Sequence, residues 1–237
     1  RIARKFGIKS PLGKNLSLAL GTSGVAPLEI ASAYSVIANL GIYNEPYLIQ
    51  QIEDFQGNRL YEHFYQGVQQ FAPDTIYSLL DMMQGVVERG TGRIVRRMGF
   101  KHPAAGKTGT TNEFKDAWFN GFTKDISTSV WVGFDNNDSM KIKSGKGLTG
   151  GSAAAPIWVH FMEKVLEGKT KVKFPVPDNI KIVTVDVQTG KLPKETSLEK
   201  IKVAVKKDLN LSPVLDEEQE STDNNVLEFE ILNKPSD

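Results

Sequence analysis

Three short strand-like segments lie at residues 104–110, 117–122 and 128–134, with only a few residues between one and the next. A parallel crossover needs a dozen or more residues, so the short connections favour antiparallel neighbours. The first segment reads Ala104-Ala105-Gly106-Lys107-Thr108-Gly109-Thr110-Thr111. Lys107 offers a compact ammonium with three donors, and Thr108 and Thr110 offer hydroxyls. Gly109 lacks a Cβ, so a ligand backbone can approach closely. Such a strand edge suits an anion, above all a carboxylate. Lys-Thr-Gly alone arises by chance in roughly one chain of this length in twenty, so its surroundings must carry the argument.

Helical periodicity brackets the strands. Pro27 suits a first helical position and Glu29 a first turn; Leu28, Ala31, Tyr34 and Ala38 follow at near 3–4 spacing until Gly41. Pro73 opens a second helix with the stripe Ile76, Leu79, Leu80, Met83 and Val87, stopped by Gly90. Met82 and Met83 read as gap-filling core. Gly90-Thr91-Gly92 follows a helix and lacks a Lys-Ser/Thr ending, so it reads as a cap and turn rather than a phosphate loop. Arg93, Arg96 and Arg97 fall on a short amphipathic segment and read as solvated. A third helix carries Ala154, Ile157, Trp158, Phe161, Met162 and Val165 and ends near Gly168.

Residues 46–65 read as a hairpin turning at Gln56-Gly57-Asn58. Trp118, Phe119, Phe122, Trp131 and Phe134 are expected mainly in the core, and 139–151 as a Gly/Lys/Ser-rich loop. Pro175-Val176-Pro177 marks a boundary, followed by a strand at 180–187, a turn at 188–190 and a second short strand near 201–205. From Asp216 onward the chain is acidic and suits a disordered tail, in which 226–232 alternates apolar and acidic residues and suits a strand formed on binding.

Composition narrows the function classes. With 237 residues, 40% of them hydrophobic, the chain can bury one substantial core and carry a small appended unit. A net charge of +1 gives no case for nucleic acid or an anionic membrane surface. There are no cysteines, and His63, His102 and His160 are scattered without a carboxylate cluster, so neither metal nor other cofactor is expected. No apolar run approaches the ~20 residues of a membrane span. The chain begins Arg1-Ile2-Ala3, which is expected of a piece of a longer protein.

Seven segments, at 4–8, 16–22, 27–41, 90–92, 105–111, 116–122 and 129–134, come in the order found in one family and cover about the first two-thirds of the chain. Singly most are weak; as a set they are specific. The chain resembles the transpeptidase domain of class A (bifunctional) penicillin-binding proteins, enzymes that cross-link peptidoglycan. The resemblance implies an α+β fold, an antiparallel sheet flanked by helices of the serine β-lactamase/D,D-peptidase type, present as a partial domain. It implies the C-terminal part of the transpeptidase domain at 1–170, a small β appendage at 171–211 and an acidic tail at 212–237. Its chemistry is serine acyl transfer from D-Ala-D-Ala stem peptides, with β-lactams as inhibitors. Lys107 and Thr110 take catalytic roles, the first as a cation in the hydrogen-bond network, the second through an N–H in the oxyanion hole. Thr108, Gly109 and Thr111 join substrate binding, with the Thr108 and Thr110 hydroxyls on the terminal carboxylate and the substrate lying along the strand. The partners implied are stem peptides and the lipid-linked precursor, at the outer face of the cell membrane and reached through an anchor that this sequence lacks. The whole protein would also carry a glycosyltransferase.

Two motifs of that family are missing. The family's Ser-x-x-Lys has one match, Ser197-Leu198-Glu199-Lys200, which falls after Lys-Thr-Gly instead of before it, and there is no Ser-x-Asn. The expectation is a fragment inactive alone, its nucleophile supplied from upstream. The residues leave open a D,D-carboxypeptidase or β-lactamase, and a non-catalytic penicillin-sensing domain.

Overall fold

The first helical turn, α1 (Ile2–Lys5), stops where Gly7 takes φ +90°. In the computed structural model, which describes residues 1–213, it is followed by a loop with a 3₁₀ turn at Leu16–Leu20. Helix α2 (Pro27–Ala38) then starts on Pro27, and Leu40 and Gly41 both turn to positive φ behind it. Glu29 ties the loop to α2: its carboxylate accepts the N–H groups of Lys9 and Ser10 and the Ser10 hydroxyl.

The strands β1 (Ile42–Tyr43), β2 (Gln51–Glu53), β3 (Arg59–Glu62) and β4 (Val68–Gln69) form two antiparallel ribbons, β1 with β4 and β2 with β3. The 46–65 hairpin exists but is shorter than its composition implies, and its register shifts between Ile52 and Glu53. The β1–β4 pairing, across some 25 residues of sequence, carries no local signature.

Helix α3 (Pro73–Glu88) buries Ile76, Tyr77, Leu80, Met83 and Val87. Met82, read as core, is instead 63% exposed, since it sits one residue off the buried stripe. The short α4 (Ile94–Arg97) follows. Arg96, read as solvated, in fact pairs with Glu88 at 2.6 Å and donates to the carbonyls of Phe100 and His102.

The strands β5 (Ala105–Thr110), β6 (Asp116–Phe122) and β7 (Ser127–Gly133) form an antiparallel sheet in that order, with β5 at one edge. Helix α2 lies on one face: the Ser127 hydroxyl donates to the Ala31 carbonyl, and the Tyr34 ring meets Phe122 edge-on. A π-turn at Gly150–Ala154 leads into α5 (Ala155–Val165), which covers the other face. Trp158 packs edge-on to Phe119 and donates its Nε1–H to the Gly121 carbonyl over 3.1 Å. This seat exists only because Gly121 has no side chain, since a Cβ there would come within 2.9 Å of the indole. Around Trp158 cluster Val87, Val95, Phe100, Phe119, Val159 and Met162; truncating a core residue of this size costs about 3–5 kcal/mol.

Aromatic and apolar residues divide more sharply than periodicity alone indicates. Phe119 and Phe122 are buried, while Trp131 and Phe134 are exposed, corrected from core. On α5 the buried stripe is Ala155, Trp158, Val159 and Met162, and Ile157 and Phe161 are half exposed. The helix is as expected, but its buried face is turned by about one residue.

The described residues divide into two compact units, Arg1–Ile180 and a second that begins at Lys181. The second is built on the paired strands β8 (Ile180–Asp186) and β9 (Lys200–Lys206). Buried Asp186 closes its turn by accepting the N–H groups of Gln188 and Thr189 and the Thr189 hydroxyl. These bonds, the Thr189 N–H foremost, hold its carboxyl below the usual range. The acidic stretch from Asp216, with the alternating 226–232, lies outside the described residues.

Candidate active site at the edge of strand β5

Register decides which way each β5 residue faces. Side chains alternate along a strand, so Lys107 and Gly109 fall on the α2 side of the sheet, opposite Asn120 and Trp118. Thr108 and Thr110 fall on the α5 side. Backbone groups alternate too. The Thr111 N–H donates to the Asp116 carbonyl, so odd-numbered residues of β5 turn their backbone groups toward β6. The N–H of Thr110 and the carbonyl of Thr108 therefore face the free edge.

Lys107 is exposed, and its ammonium donates to the Thr108 carbonyl at 2.7 Å. On the same face Asn120 is held by the Ser129 hydroxyl and by Tyr34. Burial pushes the Tyr34 phenol up to about 12, although its bond to Asn120 acts the other way.

On the other face both threonine hydroxyls are supported from behind. The Thr110 oxygen accepts the N–H of Gly150 at 3.0 Å, and the Thr108 oxygen lies 2.7 Å from that of Thr91. The Gly150 backbone reaches Thr110 by lying directly on the sheet: a Cβ at Gly150 would stand 2.1 Å from the Trp118 carbonyl oxygen. Thr149 and Ser152 form a capping box that fixes this turn. Thr111 does different work, for its hydroxyl oxygen accepts the Asp116 N–H and locks the turn into β6. Just beyond, Glu113 and Phe114 hold positive φ, and Lys115 keeps the Glu113 carboxyl below its ordinary range.

The edge thus presents an ammonium to one side, two hydroxyls to the other and a backbone N–H between. That set can hold a carboxylate and polarise a carbonyl. The one Ser-x-x-Lys sequence belongs to the second unit, where the Ser197 hydroxyl accepts the Lys194 N–H. A cleft of about 640 Å³ lies toward the other end of β5, lined in part by Glu88, Arg96, Phe100, Pro103 and Phe174. Its Arg96 is already bound to Glu88 and two carbonyls.

The family model described as the penicillin binding protein transpeptidase domain matches residues 5–163. The chain belongs to the penicillin-binding protein transpeptidase family. Penicillin-binding protein 1A of Neisseria lactamica is 42% identical over 183 residues, which is 75% of this chain and 22% of that protein. The chain therefore spans about a quarter of the length of such relatives. The crystal structure of penicillin-binding protein 1A from Haemophilus influenzae superposes with a TM-score of 0.75 at 25% identity, covering 90% of this chain and 36% of that one. PonA1 of Mycobacterium tuberculosis in complex with penicillin V superposes at 0.62 with 27% identity, over 74% of this chain and 51% of that one. The fold is thus that of a penicillin-binding transpeptidase, with helices on an antiparallel sheet as the sequence implied.

Within this transpeptidase-family chain, Lys107, Thr108, Gly109 and Thr110 share one edge, and Thr111 closes the turn beside it. The sequence assigns no role at that edge to two residues. Thr91 reads as part of a helix cap within the 90–92 segment, and Gly150 as one glycine in a loop. The Thr149-x-x-Ser152 spacing signals a capped turn at Gly150, but nothing local points it at Thr110.

Proposed function

We propose that this chain forms the carboxylate-binding side of a serine D,D-transpeptidase active site, and that the whole protein cross-links peptidoglycan by acyl transfer from D-Ala-D-Ala stem peptides. The observation that carries this reading is the pairing of Thr108 and Thr110. Both hydroxyls lie on one face of a free strand edge, one within reach of Thr91 and the other receiving the Gly150 N–H, with Lys107 on the opposite face. A terminal carboxylate receiving both hydroxyls gains charge-assisted bonds worth about 1.5–3 kcal/mol each. The penultimate carbonyl then comes to the Thr110 N–H, where developing negative charge is stabilised. Lys107 raises the local potential for the same anion and assists proton transfer during attack. Gly109 leaves room for the substrate backbone along the edge.

Attack requires a serine that this set does not contain. In this reading it comes from a part of the whole protein outside the present sequence, together with the second serine motif and a glycosyltransferase domain. The reaction proceeds at the outer face of the cell membrane on lipid-linked precursor and stem peptides. β-Lactams enter by the same edge, because they present a carboxylate beside a strained carbonyl. The penicillin V complex of a structural relative supports that step.

The test uses labelled penicillin. The whole protein should be acylated covalently and stoichiometrically, and the isolated 237-residue chain should not react. Acylation of the isolated chain would place a nucleophile within it and overturn the division of labour proposed here.

A further inference from the structure

We propose that Thr91 is a positioning residue for carboxylate recognition, aiming the Thr108 hydroxyl proton at the ligand. The inference rests on the reading of the β5 edge given above and extends it to a residue 17 positions upstream of Thr108.

Each threonine hydroxyl has one proton to give. The Thr110 oxygen already accepts the Gly150 N–H, so its proton is available to a ligand. Thr108 and Thr91 are 2.7 Å apart, and either hydroxyl can donate to the other. If Thr108 donates to Thr91, its proton is spent and only Thr110 serves the carboxylate. If Thr91 donates, Thr108 becomes an acceptor from behind and a donor in front, as Thr110 already is. An anion at the edge selects the second order, because it attracts both protons. Hydroxyls in series also polarise one another, which strengthens the bond at the ligand end.

The chain holds Thr91 for this purpose. The turn is pinned on both sides: the Gly90 N–H donates to the Gly85 carbonyl and the Gly92 N–H to the Val86 carbonyl, both at 3.0 Å. Gly92 is buried beside the Phe119 ring, while Thr91 itself is exposed. The Thr91 carbonyl lies against Gly151, so the turn and the π-turn that serves Thr110 brace each other. Among the described residues the Thr91 hydroxyl reaches the site through Thr108. It is therefore a positioning group and not a catalytic one.

The experiment measures the rate of acylation of the whole protein by penicillin and by penicillin methyl ester, which lacks the carboxylate charge. Thr91→Val removes the hydroxyl and keeps the shape at an exposed position. It should slow acylation by penicillin about five- to tenfold and leave the ester rate alone. Thr91→Ser should restore most of the penicillin rate. In a Thr108→Val background, Thr91→Val should add nothing, because the route of its hydroxyl has been cut. Equal loss with both ligands, no loss with either, or full additivity with Thr108→Val would overturn the proposal. The underlying reading fails separately. If Thr108→Val slows penicillin selectively and Thr91→Val does not, only the role of Thr91 falls. If neither Thr108→Val nor Thr110→Val distinguishes penicillin from its ester, carboxylate recognition at this edge falls with it.

Discussion

The N–H of Gly150 donates to the Thr110 hydroxyl across 40 residues of sequence, and this bond joins the turn before α5 to the strand edge. It requires glycine, since a Cβ would stand 2.1 Å from the Trp118 carbonyl oxygen and 2.7 Å from that of Gly109. Both obstacles are backbone atoms and cannot swing aside. Gly150→Ala should displace the π-turn, cost about 1–3 kcal/mol of stability and withdraw the donor from Thr110. Thermal melting of this chain checks the first effect, and acylation of the whole protein the second.

Lys107 is exposed, donates to a carbonyl of its own strand, and makes no ion pair among the described residues. Lys107→Ala should therefore leave stability within about 0.5 kcal/mol of the parent. In the whole protein it should slow penicillin acylation on the order of a hundredfold or more. Near-normal acylation would remove Lys107 from the mechanism.

Much of this arrangement is legible in the sequence, and what is not has a common cause. The strands of the central sheet follow from short connections and apolar patterning, and α2 and α3 from their opening prolines. Which apolar residues face inward is less legible, because a helix stripe indicates a period but not its partner. Met82, Ile157 and Phe161 fit the stripe or its margin, yet α3 and α5 present other residues to the sheet. Arg96 looks like a surface cation until Glu88 and two carbonyls fold around it. Lys107, Thr108 and Thr110 are legible because one strand carries them together. Thr91 and Gly150 are not, because each acts on β5 from 17 or 40 residues away.

Tyr34 links α2 to the sheet, and the sign of its pH effect is fixed. Its phenol is raised to about 12 by burial, above the ordinary 10.0. The unfolded chain therefore releases that proton first. The stability contributed by neutral Tyr34 is complete below pH 10 and is lost as pH rises toward 12. Denaturant midpoints measured across that window should fall more steeply for the parent chain than for Tyr34→Phe. Parallel curves would show that Tyr34 is not the group responsible.

Glu29 acts at the other end of the scale. The Ser10 hydroxyl foremost, with the backbone N–H groups of Lys9 and Ser10, holds its carboxyl below the ordinary 4.5. The stabilising contribution is present above that value and disappears as pH falls through the lowered one. Protection factors of the Lys9 and Ser10 amides should fall on acidification, and Glu29→Gln should show the lower protection already at neutral pH. Unchanged protection in the variant would contradict the tether.

The grip of this strand edge on an acid group is most directly seen in a crystal structure of the whole protein acylated by a penicillin. Both hydroxyl oxygens, of Thr108 and of Thr110, should lie within about 2.5–3.0 Å of the antibiotic's carboxylate, and the Thr110 N–H at the acyl oxygen. A carboxylate bound away from these two threonines would contradict it.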